Sequence, residues 1–238
     1  MNKRFIALIA IIAAVVGFNI YRTIDKVKLE GRYYPKDSKS LNIDAKSKDF
    51  STKKLNKFTE LERLSISKVN DDILEDFGDF KELSSLTFFY AKLYKAAPKL
   101  NSYEKLEEVS FFNSEVDLQG VYISELKDIV FDKCDVKNFS ALKECAKLDP
   151  IQLSGTTADG YIVHEDHEYV LKDSSVFADL DTVTNINLEH IVLEDISGIL
   201  EMDSLKTVVV GMDEVPDETV DKLTSHGIEV WSVSTSID

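Results

Sequence analysis

The chain has 238 residues, of which 44% are hydrophobic, and it contains only 4 Pro and 9 Gly. This composition excludes a disordered or collagen-like chain and allows a packed core in one large domain or a row of small repeats. The formal net charge of -15 is spread along the chain. Because nucleic acid and anionic lipid headgroups are themselves negative, this charge argues against both as partners.

The first distinctive segment, residues 5–21, contains no charged side chain and follows Lys3 and Arg4. As a helix it would reach roughly 25 Å, near the minimum needed to cross a bilayer. The run is longer than a usual signal-peptide core and lacks a following Ala-x-Ala site, which favours an uncleaved signal anchor over a cleaved signal peptide. Positive charge before the helix favours an N terminus in the cytoplasm. We therefore predict a single-pass protein of the cell membrane with a cytoplasmic tip (1–4), an anchor (5–21), a linker (22–37) and an exported domain (38–238).

From residue 38 onward, one short pattern recurs, in which an apolar residue is followed by apolar residues three and five positions later. Clear copies are Leu61-Leu64-Ile66, Leu83-Leu86-Phe88, Leu106-Val109-Phe111, Leu126-Ile129-Phe131, Leu148-Ile151-Leu153, Val183-Ile186-Leu188 and Leu205-Val208-Val210, with weaker copies Ser38-Leu41-Ile43 and Ile228-Trp231-Val233 at the ends. The copies start about 20 to 23 residues apart, except for one interval of about 35. Such a period is typical of leucine-rich repeats. Each copy predicts a short strand with one buried side, and stacked copies predict a parallel sheet.

Five repeats carry another apolar residue ten positions after their start: Leu93, Val116, Val136, Leu193 and Val215. We expect this residue to turn the chain into a returning segment on the convex side. The spacing in the two clearest returning segments predicts that Phe139, Leu142, Cys145, Ile196 and Ile199 point inward.

The returning segments LEDISGIL and VKNFSALKECAKL resemble those of the internalin-type leucine-rich repeats of Gram-positive bacterial surface proteins, over roughly residues 38–233. The resemblance implies an α/β right-handed solenoid with a curved parallel sheet, short helices or 3₁₀ turns on the convex side, and a role in protein or surface recognition. The family usually places Asn at a turn where its side chain bonds the backbone. This chain has Val69, Ala91, Ser114, Cys134, Thr156, Ile191 and Asp213 there, of which only Cys134 is an accepted variant in the family. We therefore expect most of that hydrogen-bond ladder to be missing.

The long interval contains GYIVHEDHEYVLKD, which predicts a hairpin insertion at about residues 155–178 that projects from the solenoid. Insertions of this kind often carry binding residues, and here the candidates are Tyr161, His164, His167 and Tyr169. His164, Glu165, Asp166 and His167 can ligate metals. Their spacing in a turn does not match the helix-borne zinc motifs, so a solvated tip is favoured over a metal site.

On the solvent side of the predicted sheet, Phe89 and Phe112 hold equivalent positions in successive repeats, with Tyr90 and Asn113 beside them at the rim. An exposed aromatic pair is a typical anchor for protein recognition. The other interpretation is that the N-terminal segment or a neighbouring loop covers the pair.

The two cysteines, Cys134 and Cys145, fall on inward positions of one repeat. Export permits a disulfide, but buried, unpaired thiols are favoured because one lies at a strand turn and the other on the returning segment.

The sequence contains no glycine-rich phosphate loop, no GxSxG, no CxxC and no cofactor or metal motif. A binding or scaffolding protein is therefore favoured over an enzyme. The leading hypothesis is a membrane-tethered recognition module for an unknown protein or cell-wall glycan. A second is a structural subunit of a membrane complex assembled through residues 5–21. The least supported is a hydrolase that uses Glu165, Asp166 and Glu168.

Overall fold

Strands from successive repeats form the main sheet of the molecule. A computed structural model describes residues 25–212 and 215–233. Within these residues the main sheet has nine strands in chain order, and all neighbours are parallel. They are β3 (Ser40–Asp44), β4 (Arg63–Ser67), β5 (Ser85–Phe89), β7 (Glu108–Phe112), β9 (Asp128–Asp132), β11 (Ile151–Ser154), β15 (Asn185–Leu188), β17 (Thr207–Gly211) and β18 (Glu229–Val233). The predicted leucine-rich-repeat sheet is confirmed.

Side chains alternate across this sheet as the repeat predicts. In β4, Leu64 and Ile66 are buried, whereas Arg63, Ser65 and Ser67 are not. Phe88, Phe111 and Phe131 take the same inward position in three successive strands, and their ring centroids lie 5.2 and 5.4 Å apart. Because each inward side chain is in register with the next, one core runs through all the repeats.

A second sheet follows the main one around the bend. Its strands are β6 (Lys92–Leu93), β8 (Glu115–Asp117), β10 (Asp135–Lys137), β12 (Thr157–Ala158), β13 (Ile162–Glu165), β14 (Glu168–Leu171) and β16 (Val192–Leu193). Leu93, Val116, Val136 and Ala158 align in register and are buried. The apolar residue that was expected to turn the chain therefore also lies in a strand that pairs with the neighbouring repeats, and the repeat pattern alone did not predict this second sheet.

The chain returns through short helices, in agreement with the expectation for the convex side. They are α1 (Thr52–Leu55), α2 (Asp71–Glu75), α3 (Ser175–Ala178), α4 (Ser197–Leu200) and α5 (Asp217–Ser225), with 3₁₀ turns at Ala97–Ser102 and Phe139–Glu144. Phe139, Leu142 and Ile199 are buried, as predicted. Cys134 and Cys145 are buried and unpaired, which confirms that prediction, and burial raises the pKa of each thiol to about 11.

Part of the predicted linker is folded. Strands β1 (Lys26–Leu29) and β2 (Arg32–Pro35) form an antiparallel hairpin, and Val27 and Leu29 belong to the core. Val27 and Leu29 alternate with exposed residues, so one side of β1 is apolar and packs against the core, which an unstructured linker would not do. The predicted anchor, residues 5–21, lies outside the described residues. In the described part of the chain, no helix is long and apolar enough to cross a membrane.

Part of the turn ladder is present, because the side chains of Ser114 and Thr156 bond the turn backbone in place of Asn. Ser114 Oγ accepts a hydrogen bond from the Ala91 N–H at 2.9 Å and donates one to the Phe112 carbonyl oxygen at 2.9 Å. The Cys134 N–H donates to Thr156 Oγ1 at 3.3 Å. Short hydroxyl side chains therefore reach the turn backbone in place of the Asn that the family usually has.

The last strand has the opposite phase from the one predicted. The register of β17 and β18 aligns Val208 with Val230, and Val208 is buried. Trp231 is 62% exposed and Val233 is 39% exposed, so both point away from the core. The weak copy that was predicted to start at Ile228 is therefore one residue out of register, and such a shift exchanges the two faces of a strand.

Helices α3 and α4 approach closely at Gly198. A Cβ atom there would lie 2.2 Å from the Ser174 carbonyl oxygen. Ser174 Oγ accepts a hydrogen bond from the Gly198 N–H and donates one to the Asp195 carboxylate, both at 2.8 Å. The Ser174 N–H and then the Ser197 N–H also donate to this carboxylate, and these bonds lower the pKa of Asp195 to about 2.

Gly198→Ala should lower the free energy of unfolding by about 2 kcal/mol or more, because the added methyl group meets backbone that cannot move aside without separating the two helices. Urea denaturation followed by circular dichroism measures the change. The control Glu201→Ala, on the exposed side of the same turn, should change stability by about 0.5 kcal/mol at most. Equal stability of both variants would contradict the close approach.

The depressed pKa of Asp195 predicts a pH-dependent stability. The ordinary pKa of an Asp carboxyl is 3.8. The stabilisation that the ionised Asp195 carboxylate gives the folded state is therefore complete at neutral pH and is lost as the pH falls from about 4 to about 2. Wild type and Asp195→Asn should differ by about 2 kcal/mol at pH 7, with the gap closing toward pH 2. Urea titrations across this range measure the gap. Asp181→Asn, at an exposed position, should show no gap of this kind.

Candidate functional site

In six successive repeats, a residue that follows the main-sheet strand lies at the rim of the concave face. In these repeats, the residue seven positions after the repeat start has a left-handed backbone with φ between 48° and 62°: Lys68, Tyr90, Asn113, Lys133, Gly155 and His190. In the first four, its N–H donates to the carbonyl oxygen at the end of the next strand, as from Tyr90 to Phe112 at 2.9 Å. We call these six residues the rim row. From Lys68 to Gly155, neighbouring members are about one strand spacing, 4.8 Å, apart.

Phe89 and Phe112 are neighbours on the solvent side of the sheet. Their rings stack with centroids 5.0 Å apart and an interplanar angle of 17°, and both side chains are partly exposed. The adjacent Tyr90 is 58% exposed and Asn113 is also exposed. The structure thus brings four predicted residues together, and we call them the aromatic patch.

The predicted hairpin exists, but it does not project from the solenoid. Strand β13 pairs with β12 on one side and β14 on the other, and β14 pairs in parallel with β16. Ile162, Val170 and Leu171 are buried, so the hairpin gains more by continuing the second sheet than by standing free in solvent. The turn residues Asp166 and His167 both have positive φ, 46° and 73°, as a two-residue type I′ turn requires.

The inserted strands make the two sheets diverge. In the second sheet, β13 and β14 separate β12 from β16, whereas β11 and β15 are direct neighbours in the main sheet. Two more strands add about 10 Å of width. Strands β11 and β15 share the pairs Ile151↔Ile186 and Gln152↔Asn187, while other neighbours in the main sheet share four or five pairs. The main sheet therefore opens beyond Gln152.

A cleft of about 460 Å³ occupies this opening, and we call it the rim cleft. It is lined by Lys133, Ser154, Gly155, His167, Glu168, Tyr169, His190 and Val192. A second cavity of about 200 Å³ lies on the concave side and shares Ser154 with the cleft. The volume of the rim cleft is in the range of small-ligand sites.

Two of the four predicted hairpin residues, His167 and Tyr169, line the rim cleft. His164 packs against Tyr169 with ring centroids 4.7 Å apart. Tyr161 is partly buried and packs against the core, away from the exposed tip.

Lys133, Gly155 and His190 line the same cleft and were not predicted as site residues. A signal for them was present, because each stands seven positions after its repeat start, the phase shared by Tyr90 and Asn113. What the sequence could not reveal is that the inserted strands β13 and β14 would open the main sheet between Gly155 and His190.

The hairpin tip is solvated. His164, Glu165, Asp166 and His167 are all exposed. Across residues 25–212 and 215–233, no three His, Cys, Asp or Glu side chains group closely enough to hold a metal ion.

Solved structures share this architecture. The internalin InlF of Listeria monocytogenes matches with a TM-score of 0.56 and 16% identity, over 82% of this chain and 52% of its own. A leucine-rich-repeat protein of Leptospira interrogans matches with a TM-score of 0.56 and 13% identity, over 82% of this chain and 49% of its own. The chain thus spans about half the length of each structure. No protein-family model and no curated protein matches the sequence.

Stacked strands that return through short helices define a leucine-rich-repeat protein. The fold is internalin-like, as the returning segments predicted.

Asp149 joins the start of β15 to the preceding repeat, at the end of the strand opposite the opening. Elsewhere, as at Glu62, a backbone carbonyl accepts from two N–H groups at the start of the following strand. Here the Asp149 carboxylate takes that role, and accepts from the N–H groups of Thr184 and Asn185 at 3.0 and 2.9 Å.

Asp149→Ala should lower the free energy of unfolding by about 2 to 4 kcal/mol, because two partly buried N–H groups lose their acceptor. Thermal unfolding followed by circular dichroism measures the loss. The control Asp203→Ala removes an exposed carboxylate from the same region and should leave the midpoint nearly unchanged. A midpoint for Asp149→Ala equal to that of the control would show that another acceptor replaces the carboxylate.

Proposed function

We propose that this protein is a membrane-anchored, extracellularly exposed leucine-rich-repeat protein that recognises a protein or a cell-wall glycan. The observation that carries the proposal is the aromatic patch, where Phe89 and Phe112 stack at 5.0 Å on the solvent side of the concave sheet. The surrounding concave surface is mostly small and polar, so the patch differs from what a wetted sheet ordinarily presents.

The patch is preorganised for binding. Phe89 and Phe112 lie in register on paired strands, and the N–H of Tyr90 is bonded to the next strand. Aromatic side chains held in this way lose little conformational entropy when a partner covers them. They also supply the large apolar contact that dominates many interfaces.

The double substitution Phe89→Glu plus Phe112→Glu should abolish capture of the partner in a crosslinking pull-down from membrane and cell-wall extracts. The two introduced carboxylates would have to be buried against the partner, which opposes binding. The substitutions lie on the solvent side of the sheet, so the buried core is unchanged. Circular dichroism establishes that the variant is folded.

The matched control is Tyr33→Glu plus Tyr122→Glu, which adds the same charge at two tyrosines that are each 60% exposed elsewhere. The control should capture the partner as wild type does. Equal capture by the patch variant and the control would remove the aromatic patch from the recognition surface.

The anchor is the second part of the proposal. It is supported by the uncharged run at residues 5–21 and by the preceding Lys3 and Arg4. We expect the full chain to resist extraction from membranes at high pH and a chain lacking residues 1–24 to be extracted. Protease added outside intact cells should degrade the repeat domain.

Replacing residues 5–21 with an unrelated membrane anchor separates recognition from the structural-subunit alternative. Partner capture should survive the exchange. Loss of capture with a folded, membrane-bound protein would favour assembly through the helix instead.

A further inference from the structure

The rim cleft gathers basic side chains in a chain whose net charge is -15. Lys133, His167 and His190 line it, and Glu168 is the single carboxylate among its lining residues in the described part of the chain. In another repeat the rim-row residue Lys68 is paired with Asp44 at 2.6 Å. The ion pairs found within residues 25–212 and 215–233 include none made by Lys133.

The divergence of the sheets also leaves a backbone donor at the cleft. The rim-row N–H groups from Lys68 to Lys133 donate to the following strand. The hydrogen bonds between described residues include none from the N–H of Gly155, where β15 has moved away. The Lys133 ammonium group and the Gly155 N–H can both donate hydrogen bonds to a carboxylate in the cleft.

Tyr169 and Val192 supply an apolar wall to the same cleft. The position of Gly155 keeps this wall accessible, since a Cβ atom at residue 155 would lie 3.3 Å from the Tyr169 ring. The cleft thus combines donors for an anion with a surface for an apolar or planar group.

We propose that the rim cleft binds a carboxylate carried on an apolar or aromatic group of a polypeptide. The carboxylate meets Lys133 and the Gly155 N–H, and the apolar group packs against Tyr169 and Val192. This inference rests on the proposed recognition function and deepens it. The rim cleft and the aromatic patch adjoin along the rim row, where Lys133 follows Asn113, so one partner segment can occupy both.

The test measures small carboxylates directly by isothermal titration calorimetry with the full 238-residue chain in detergent micelles. N-acetyl-phenylalanine is compared with N-acetyl-phenylalaninamide, which has the same shape and no charge. The acid should bind about tenfold more tightly than the amide, as loss of a charge-assisted hydrogen bond predicts. Equal affinity, or no measurable binding of the acid, overturns the proposal.

Lys133→Gln should weaken binding of the acid about tenfold and leave binding of the amide unchanged. Lys206→Gln is the matched control, because it makes the same charge change at an exposed lysine outside the cleft. Binding of the acid to Lys133→Gln as tight as to the control overturns the assignment.

Three further probes identify the source of the carboxylate: acetyl-Gly-Gly-Phe with a free C terminus, acetyl-Phe-Glu-Gly-amide and methyl glucuronide. Tightest binding of the first assigns a chain terminus, and tightest binding of the second assigns an acidic side chain. Tightest binding of the sugar acid overturns the polypeptide assignment. If these probes fail while the aromatic-patch variant still loses its partner, the cleft proposal falls and the recognition function stands.

Discussion

The structure depends on the register of the inward side chains. A repeat contributes one short strand with two or three apolar residues on one side, which is too little to fold alone. Stacking makes Phe88, Phe111 and Phe131 neighbours at 5.2 and 5.4 Å and continues the core across every repeat. The same register fixes the solvent side, because alternate residues of paired strands must also be aligned. The aromatic patch is therefore a direct consequence of how the core is built.

The insertion between β11 and β15 illustrates what a solenoid does with extra chain. Its apolar residues are buried by adding two strands to the second sheet, and the main sheet keeps its order. Two layers of unequal width cannot remain parallel, so the layers separate at the rim. The Asp149 carboxylate holds the other end of β15 to the preceding repeat at 2.9 to 3.0 Å. The rim cleft follows from this divergence and requires no side chain of unusual chemistry.

The rim cleft is lined by more basic than acidic side chains, although the chain is acidic overall. Elsewhere on the described surface, many lysines are paired with carboxylates of the adjacent repeat, for example Lys39 with Glu62 and Lys127 with Glu107, at 2.6 and 2.8 Å. Exposed pairs of this kind stabilise a fold weakly, and each one neutralises the lysine that makes it. At the cleft, positive charge and an apolar wall coincide next to the aromatic patch. An acidic chain can therefore still present a local site for an anionic group.

The sequence by itself determined the repeat, the inward residues of the main-sheet strands from β3 to β17, the burial of both cysteines and the pairing of Phe89 with Phe112. These follow from local alternation and a fixed period, which are properties of neighbouring residues. It misplaced the phase of β18, because Trp231 and Val233 fit the apolar pattern although the register with β17 turns them outward. It also could not place the hairpin, since a free hairpin and two strands added to a sheet have the same alternation. Only the tertiary structure decided that the hairpin joins the second sheet and thereby opens a cleft beside Lys133 and Gly155, because that outcome depends on pairing partners distant in sequence.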